Sequence, residues 1–219
     1  YRYDAHGNLI ERISPDGSRL LLGYDGAHRL VRLERQKANG EHWLAEYAYD
    51  PLSRRISKQV QYTDANGKQH PTKTTCYGWD GDQQSAEALQ DTEDEWHIRT
   101  TLHEPGSFVP LLRMDQTQPS QEPVVLALKR QLAEAGEPIP DVLREALAEE
   151  AGECRYASYH TDHLGTPLAL TDEQGQVIWE ASPDDWAAVS EHQGSTDQPL
   201  RYQGQYEDEE TGLYYNRFR

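Results

Sequence analysis

Hydrophobic and polar residues alternate along most of this chain. In Arg29-Leu30-Val31-Arg32-Leu33-Glu34 one set of side chains is placed for a buried face and the other for solvent, as in a half-buried strand. Short runs of this kind fill residues 1–80, separated by Asp16-Gly17, Asp25-Gly26, Asn39-Gly40 and Asn66-Gly67. Asx-Gly pairs suit type I′ hairpin turns, whose central residues need positive φ, so a succession of hairpins is predicted. Residues 82–95 are acidic and weakly patterned (Asp82, Glu87, Asp91, Glu93, Asp94, Glu95) and read as a loop or short insertion. Strand pattern resumes at Trp96–His103 and, after the turn Glu104-Pro105-Gly106-Ser107, at Phe108–Met114.

The period then changes. Val124, Val125, Leu128 and Leu132, and later Val142, Leu143, Ala146 and Leu147, recur at helical spacing. Gly136 and Gly152 suit helix C-caps, and Pro138 and Pro140 divide the two runs, so a helical hairpin inserted in a β framework is predicted over 119–152. The β pattern returns in Tyr156–His160, Leu168–Thr171 and Gln176–Ala181. A loop-like stretch, 182–199, follows, and Leu200–Tyr206 and Leu213–Phe218 read as two last strands about an acidic turn. The predicted organisation is a β segment at 1–118, the helical insertion at 119–152, and a second β segment at 153–219.

One phrase recurs within the strands: aromatic-x-aromatic-Asp, then a turn and a short apolar run. The copies are Tyr1-Arg2-Tyr3-Asp4, Leu22-Gly23-Tyr24-Asp25, Tyr47-Ala48-Tyr49-Asp50 and, more weakly, Tyr77-Gly78-Trp79-Asp80. Their spacings are 21, 25 and 30 residues. Repetition on this scale points to an extended β architecture and makes a structural protein the default. An Asp beside a turn can accept backbone N–H bonds and fix a hairpin, while the aromatic before it can stack between neighbouring strands.

Composition agrees with a sheet-rich molecule. Apolar residues are only 36%, below the roughly 45–50% of ordinary soluble domains, and Tyr (13) far outnumbers Phe (2). Tyr suits a half-buried sheet face, packing its ring while its hydroxyl stays hydrogen-bonded. A net charge of −17 disfavours direct nucleic-acid binding and anionic membranes, both of which attract Lys and Arg. No run of 18 apolar residues is present to insert in a membrane, and no signal peptide is visible. Two cysteines, Cys76 and Cys154, make no disulfide framework. The chain starts inside a repeat and stops in strand-like sequence, so it reads as a piece of something longer with unpaired strand edges.

Together these residues resemble the bacterial Rhs (rearrangement hotspot) and YD-repeat proteins, specifically the C-terminal part of the Rhs core. Tyr3-Asp4, Tyr24-Asp25 and Tyr49-Asp50 match the motif that names the repeat. Glu104-Pro105-Gly106-Ser107-Phe108 looks like the family's EPGSF segment. Tyr159-His160-Thr161-Asp162-His163-Leu164-Gly165-Thr166-Pro167 is similar to its YHxDHLGTP signature. Arg201–Tyr206, with Gly204, and Glu209–Arg217, with Gly212, Tyr215, Asn216 and Arg217, look like its closing stretch. The resemblance implies a mainly β fold, a hollow shell of spiralling antiparallel sheet that encloses a C-terminal toxin. It implies partners too: the rest of the shell, the toxin, and a VgrG spike or adaptor of type VI secretion. It also implies a bacterial cytoplasmic stage before export, secretion or delivery into a target cell. The family's aspartyl autocleavage site lies in a DPxGL motif, and this sequence stops at Arg219 before one, so neither the cleavage carboxylates nor the toxin is carried over.

Candidate chemistry is sparse. His160, Asp162 and His163 have metal-site spacing but lack a zincin's flanking helix and any obvious further ligand; the resemblance makes them a structural turn. Asp184-Asp185 and Asp208-Glu209-Glu210 could pair for acid–base work, yet their polar surroundings read as solvated charge. Neither cysteine shows a nucleophile's surroundings, and no GxSxG, phosphate-binding or dinucleotide motif is present. No catalytic residue, cofactor or metal is therefore assigned. Three functions stay open. The first is a shell segment that contains a toxin, where an acidic inner wall would suit a basic cargo. The second is a binding module stacking carbohydrate on Trp79 or Trp179. The third is a fragment in which late residues such as Arg217 shape the autoproteolytic compartment.

Overall fold

The computed structural model describes residues 1–92, 95–119, 154–184, 189, 191–202 and 204–217. Strands β1 (Arg2–Tyr3), β2 (Leu9–Ile13), β3 (Arg19–Tyr24), β4 (Leu30–Gln36), β5 (His42–Tyr49), β6 (Arg55–Thr63) and β7 (Lys73–Asp80) follow one another through tight turns. They continue as β8 (Gln83–Thr92), β9 (Glu95–His103), β10 (Pro110–Pro119), β11 (Cys154–Thr161), β12 (Pro167–Asp172), β13 (Val177–Ala181) and β14 (His192–Gly194). These 14 strands form one sheet in which neighbours in sequence are neighbours in space and pair antiparallel. Two short strands, β15 (Tyr206–Asp208) and β16 (Leu213–Tyr215), pair only with each other. The mainly β prediction holds, and no helix occurs among the described residues. The helical hairpin predicted over 119–152 lies outside them, except for Pro119 at the end of β10.

Other boundaries differ from the sequence reading. Within the span read as a loop or insertion, residues 83–92 are strand: β8 pairs with β7 and β9. An acidic composition is compatible with a strand here because Glu87 points into the covered face, where it meets Arg99 and Tyr206. Of the strand expected over Leu200–Tyr206, the described residues supply one bridge, from Leu200 to Tyr206 at the start of β15, and β14 lies inside the stretch read as loop.

Register places the apolar side chains on one face. Leu22, Leu33, Ala45 and Val60 stand opposite one another across β3 to β6, and with Leu20 and Tyr47 they form a buried cluster. A second cluster forms where Tyr159, Leu170 and Trp179 align across β11 to β13. Between the two the same face is charged: Tyr77, Glu87, Arg99 and Asp115 stand in one row. The opposite face keeps Ile56 and Leu102 exposed.

The turns repeat one design. Asp4, Asp25, Asp50, Asp64, Asp162 and Asp172 each accept two backbone N–H bonds through Oδ1, from the residues two and four positions later. The backbone closes the same five-residue loop each time, as in Asp4 N–H to Asn8 C=O and Gly7 N–H to Asp4 C=O. This is a type I turn ending in a bulge residue of positive φ, not the type I′ turn expected from Asx-Gly pairs. That place is taken by Gly7 at φ 84°, but by His28 at 61° and Ser53 at 62° in the next two repeats. Gly26 is therefore not the left-handed residue of its turn.

The repeated aromatics bond backwards. Tyr24 OH donates to the Leu9 carbonyl at 3.1 Å, Tyr49 OH to Leu30 at 2.8 Å, and Trp79 Nε1–H to Arg55 at 2.8 Å. Each acceptor opens the strand after the preceding repeat's turn. The arginines after the turns bond forwards: Arg29 donates to the Asp50 carbonyl and Arg54 to that of Gly81. Turn and aromatic thus tie successive repeats in both directions. Asp80 breaks the series, ending β7 opposite Gln83 around a two-residue loop, and Tyr3 stays exposed on the first strand.

Two outcomes follow. Asp50→Ala lowers the melting temperature by a few degrees, and Asp80→Ala leaves it near wild type, because only Asp50 holds a turn's N–H groups; calorimetry of the pair checks this. Stability also has a defined pH window. The Asn8 side-chain amide holds the Asp4 carboxyl below its ordinary value, the Lys68 N–H does so for Asp64, and Lys37, Asn39 and Tyr62 bring Glu41 down to about 2. Depressed carboxyls contribute stability above their unfolded values, about 4, and lose it as pH falls through the folded ones. Burial pushes Tyr47 up and Tyr49 up to about 12, so their contribution is intact below about 10 and lost as pH rises beyond it. The melting temperature should stay level between about pH 5 and 9 and fall on both sides.

Candidate functional site

Simple alternation would put Arg55 and Lys58, three apart on β6, on opposite faces. A register shift at Ala48/Tyr49 removes the conflict: Tyr47 faces Lys58 while Tyr49 faces Arg55, one residue more on β6 than on β5. The bulge turns both cations onto the covered face. There Arg55 is 1% exposed and Lys58 8%. Burying two cations demands partners, since an unpaired buried charge is strongly destabilising.

The partners come from the far end of the chain. Residues 204–217, with β15 and β16, lie across the covered face as a strap. Arg55 Nη1 bonds Asp208 Oδ2 at 2.6 Å, and Lys58 Nζ lies 3.1 Å from both Asp208 Oδ1 and Glu210 Oε2. Tyr47 OH donates to Glu210 Oε1, and Arg35 donates to the Glu210 carbonyl. Four tyrosine rings enclose the Arg55 guanidinium, Tyr47, Tyr77, Tyr206 and Tyr215, at 4.2–5.5 Å from their centroids. Tyr215 OH also accepts the Arg55 N–H at 3.0 Å. Burial works against both cations, but the facing Tyr77 and Asp208 outweigh it and hold their pKa values above the ordinary ones.

A second group adjoins the first. Tyr206 OH donates to Glu87 Oε2 at 2.6 Å, and Glu87 pairs with Arg99. Arg113 bonds Asp115, the Asp197 carbonyl and Thr196 Oγ1. An open cavity of about 1000 Å³ runs beside these residues, bordered by Glu87, Arg99, Arg113, Asp197 and Tyr206. The cations on the wall are matched by acidic groups from the wall and strap.

The structure reassigns most candidate residues. Asp208 and Glu210 are buried ion-pair partners, not solvated charge, because strands more than 150 residues away supply the cover. Both Asp208 oxygens are spent on cations, which leaves no free carboxylate base there. Asp184 is exposed, and Asp185 lies outside the described residues. His160 is exposed and meets Thr171 Oγ1, while Asp162 is engaged by its own turn, in which His163 is exposed and Gly165 has φ 84°. Among the described residues no three His, Cys, Asp or Glu side chains converge as metal ligands. Pro167 and Tyr159 are buried. Cys76 and Cys154 are free and exposed. Trp179 is 1% exposed and Trp79 bonds the Arg55 carbonyl, so the stacking platform expected at these two is occupied within the fold.

The closing stretch, in contrast, converges on the site. Gly204, at φ 75°, sits where an added Cβ would lie 3.4 Å from the Phe108 ring, joining two sequence segments 96 residues apart. Tyr215 contacts Tyr49 and Trp79, and Arg217 pairs with Asp82. Gly212, at φ 64°, completes the turn between β15 and β16, and Asn216 follows β16. Tyr47 belongs to the recurring phrase and Tyr206 to the closing stretch; the residues that sequence reasoning gave no role are Arg55 and Lys58, whose signal is the three-residue spacing that breaks the alternation.

Comparison with known proteins agrees with the motifs. A family model described as RHS protein matches residues 157–193, and one described as RHS Repeat matches residues 3–42. The chain is 51% identical over its whole length to the toxin protein Tse5 of Pseudomonas aeruginosa, of which it spans 16%. It is 31% identical, again over its whole length, to the double-stranded DNA deaminase toxin A of Burkholderia cenocepacia, of which it spans 14%. In the crystal structure of TcdB2-TccC3-Cdc42, a similar fold covers 97% of this chain and 9% of the solved one, with a TM-score of 0.60 at 16% identity.

The ion cluster predicts strong coupling. Asp208→Ala strands the buried Arg55, leaves Lys58 with Glu210 alone and should cost roughly 3–5 kcal/mol, whereas combining Arg55→Met with Asp208→Leu recovers a large part of the loss. A double-mutant cycle by denaturant unfolding measures this; additive effects would show that the pair does not act as a unit.

Proposed function

This chain belongs to the Rhs family of YD-repeat proteins, and from that premise we propose that it is a wall segment of a β-sheet shell that encloses a C-terminal toxin. The observation that carries the reading is the strap: a sheet of 14 consecutive antiparallel strands has one face covered by its own chain, fastened through buried charges. Such a wall separates what lies on its two sides without any catalytic group. The long relatives bear toxin names, and the chain spans less than a fifth of their length, so the toxic activity belongs elsewhere in a larger protein.

In this reading the repeats supply a uniform, extensible wall, and the charged strap fixes its C-terminal end. The shell assembles in a bacterial cytoplasm and is then exported to a competing cell, with type VI secretion and a VgrG spike or adaptor as the delivery route. A role in shaping an autoproteolytic compartment is compatible with the strap's position, although the residues described supply no free carboxylate pair.

The test uses the complete native protein. Purified under native conditions, it should yield core and toxin fragments that co-elute and separate only on denaturation. Asp208→Ala in the same protein should release the toxin fragment or expose it to protease. A single uncleaved chain, or fragments that part without denaturant, would overturn the containment role.

A further inference from the structure

We propose that residues 204–217 form a latch that opens as one unit while the sheet beneath stays folded, uncovering the charged centre of the wall and the cavity beside it. Three observations carry this. First, β15 and β16 stand outside the 14-stranded ladder, and among the described residues no backbone-to-backbone hydrogen bond joins 204–217 to the strands of the wall. Opening the latch therefore breaks none of the ladder that holds the wall.

Second, the fastenings are side-chain contacts of a reversible kind. On the wall they include the pairs of Asp208 and Glu210 with Arg55 and Lys58, the Tyr206–Glu87 and Tyr47–Glu210 bonds, the Arg217–Asp82 pair, the Tyr215 ring against Tyr49 and Trp79, the bonds of Arg55 N–H to Tyr215 OH and Arg35 to the Glu210 carbonyl, and the packing of Leu213; the backbone bonds of the latch run to 199–202, as from Glu207 N–H to the Pro199 carbonyl. Buried ion pairs come close to break-even against separate hydration of both partners. Removing one partner is severe, but lifting the latch returns Asp208, Glu210, Arg55 and Lys58 to water together. Unzipping β5 from β6 or β6 from β7 instead loses whole rows of backbone bonds.

Third, the closed state buries polar atoms that have no hydrogen-bond partner within the protein. Arg55 Nε and Nη2 and the Tyr77 hydroxyl are buried without hydrogen-bond partners beneath the latch. Unmet buried donors favour any state that hydrates them. The Tyr206 ring covers Tyr77 edge-on, and both Tyr206 and Tyr215 lie against Arg55, so lifting the latch admits water to these atoms at once. Tyr206 also borders the cavity of about 1000 Å³ with Glu87, Arg99 and Arg113, so the same motion widens its mouth.

Amide hydrogen exchange of the full-length native protein, read by mass spectrometry, tests the latch. Amides of 206–215 should exchange together and at least about tenfold faster than those of β5 to β7. Replacing Asp208→Asn with Glu210→Gln should speed the latch amides further and leave β5 to β7 unchanged. Equal rates in latch and wall, or a variant in which both lose protection together, would show that the strap opens only when the wall unfolds. Latch amides that respond to the variant one by one, not as a set, would also overturn the proposal.

Discussion

A guanidinium buried beneath the centre of a sheet is the constraint on which this structure turns. Arg55 is almost wholly withdrawn from water, and nothing on its own hairpin neutralises it. The chain meets the demand by bringing Asp208 across from 153 residues away and boxing the charge in four tyrosine rings. Lys58, Glu210 and Tyr47 extend the arrangement, so every ionised group has an opposite charge within reach. The strap's position follows from electrostatics more than from apolar area.

The wall has a different logic. Its strands follow in sequence order, and six of the turns between them are closed by their own Asp, so those hairpins are specified locally. What converts a series of hairpins into a wall is the pair of opposed bonds between repeats, aromatic side chains reaching back and arginines reaching forward. A repeat built this way stacks on any neighbour that offers a free carbonyl after its turn. This suits an extended enclosure, whose size is set by repeat number and not by a single core.

The covered face joins two kinds of cohesion. At either end Leu, Ala, Tyr and Trp side chains make ordinary buried clusters. The middle is a row of charges and tyrosines that has no counterpart to pack against until the strap arrives. Strand-borne apolar residues make up most of both end clusters, with Leu213 of the strap packed against the first, while the polar middle is met by an acidic, tyrosine-bearing cover.

How much of this was legible beforehand depended on the distance over which the information acts. The strands of the repeats and the Asp-centred turns could be read from alternation and from a recurring phrase, because each involves residues within about one repeat; the phrase suggested stacking for its aromatics, and the structure adds the backward bonds of Tyr24, Tyr49 and Trp79. The turn type was misread, since the left-handed position falls three residues after the Asp and accepts His28 and Ser53 as well as glycine. The composition of residues 83–92 suggests a loop, and only their pairing with β7 and β9 makes them a strand. The nature of Asp208 and Glu210 was not legible at all: an acidic turn looks solvated until a distant strand covers it. The sequence by itself determined the repeating wall, because hydrogen bonds and alternation act between near neighbours. Only the tertiary structure decided the ionic centre, because burial and ion pairing arise when segments more than 150 residues apart meet.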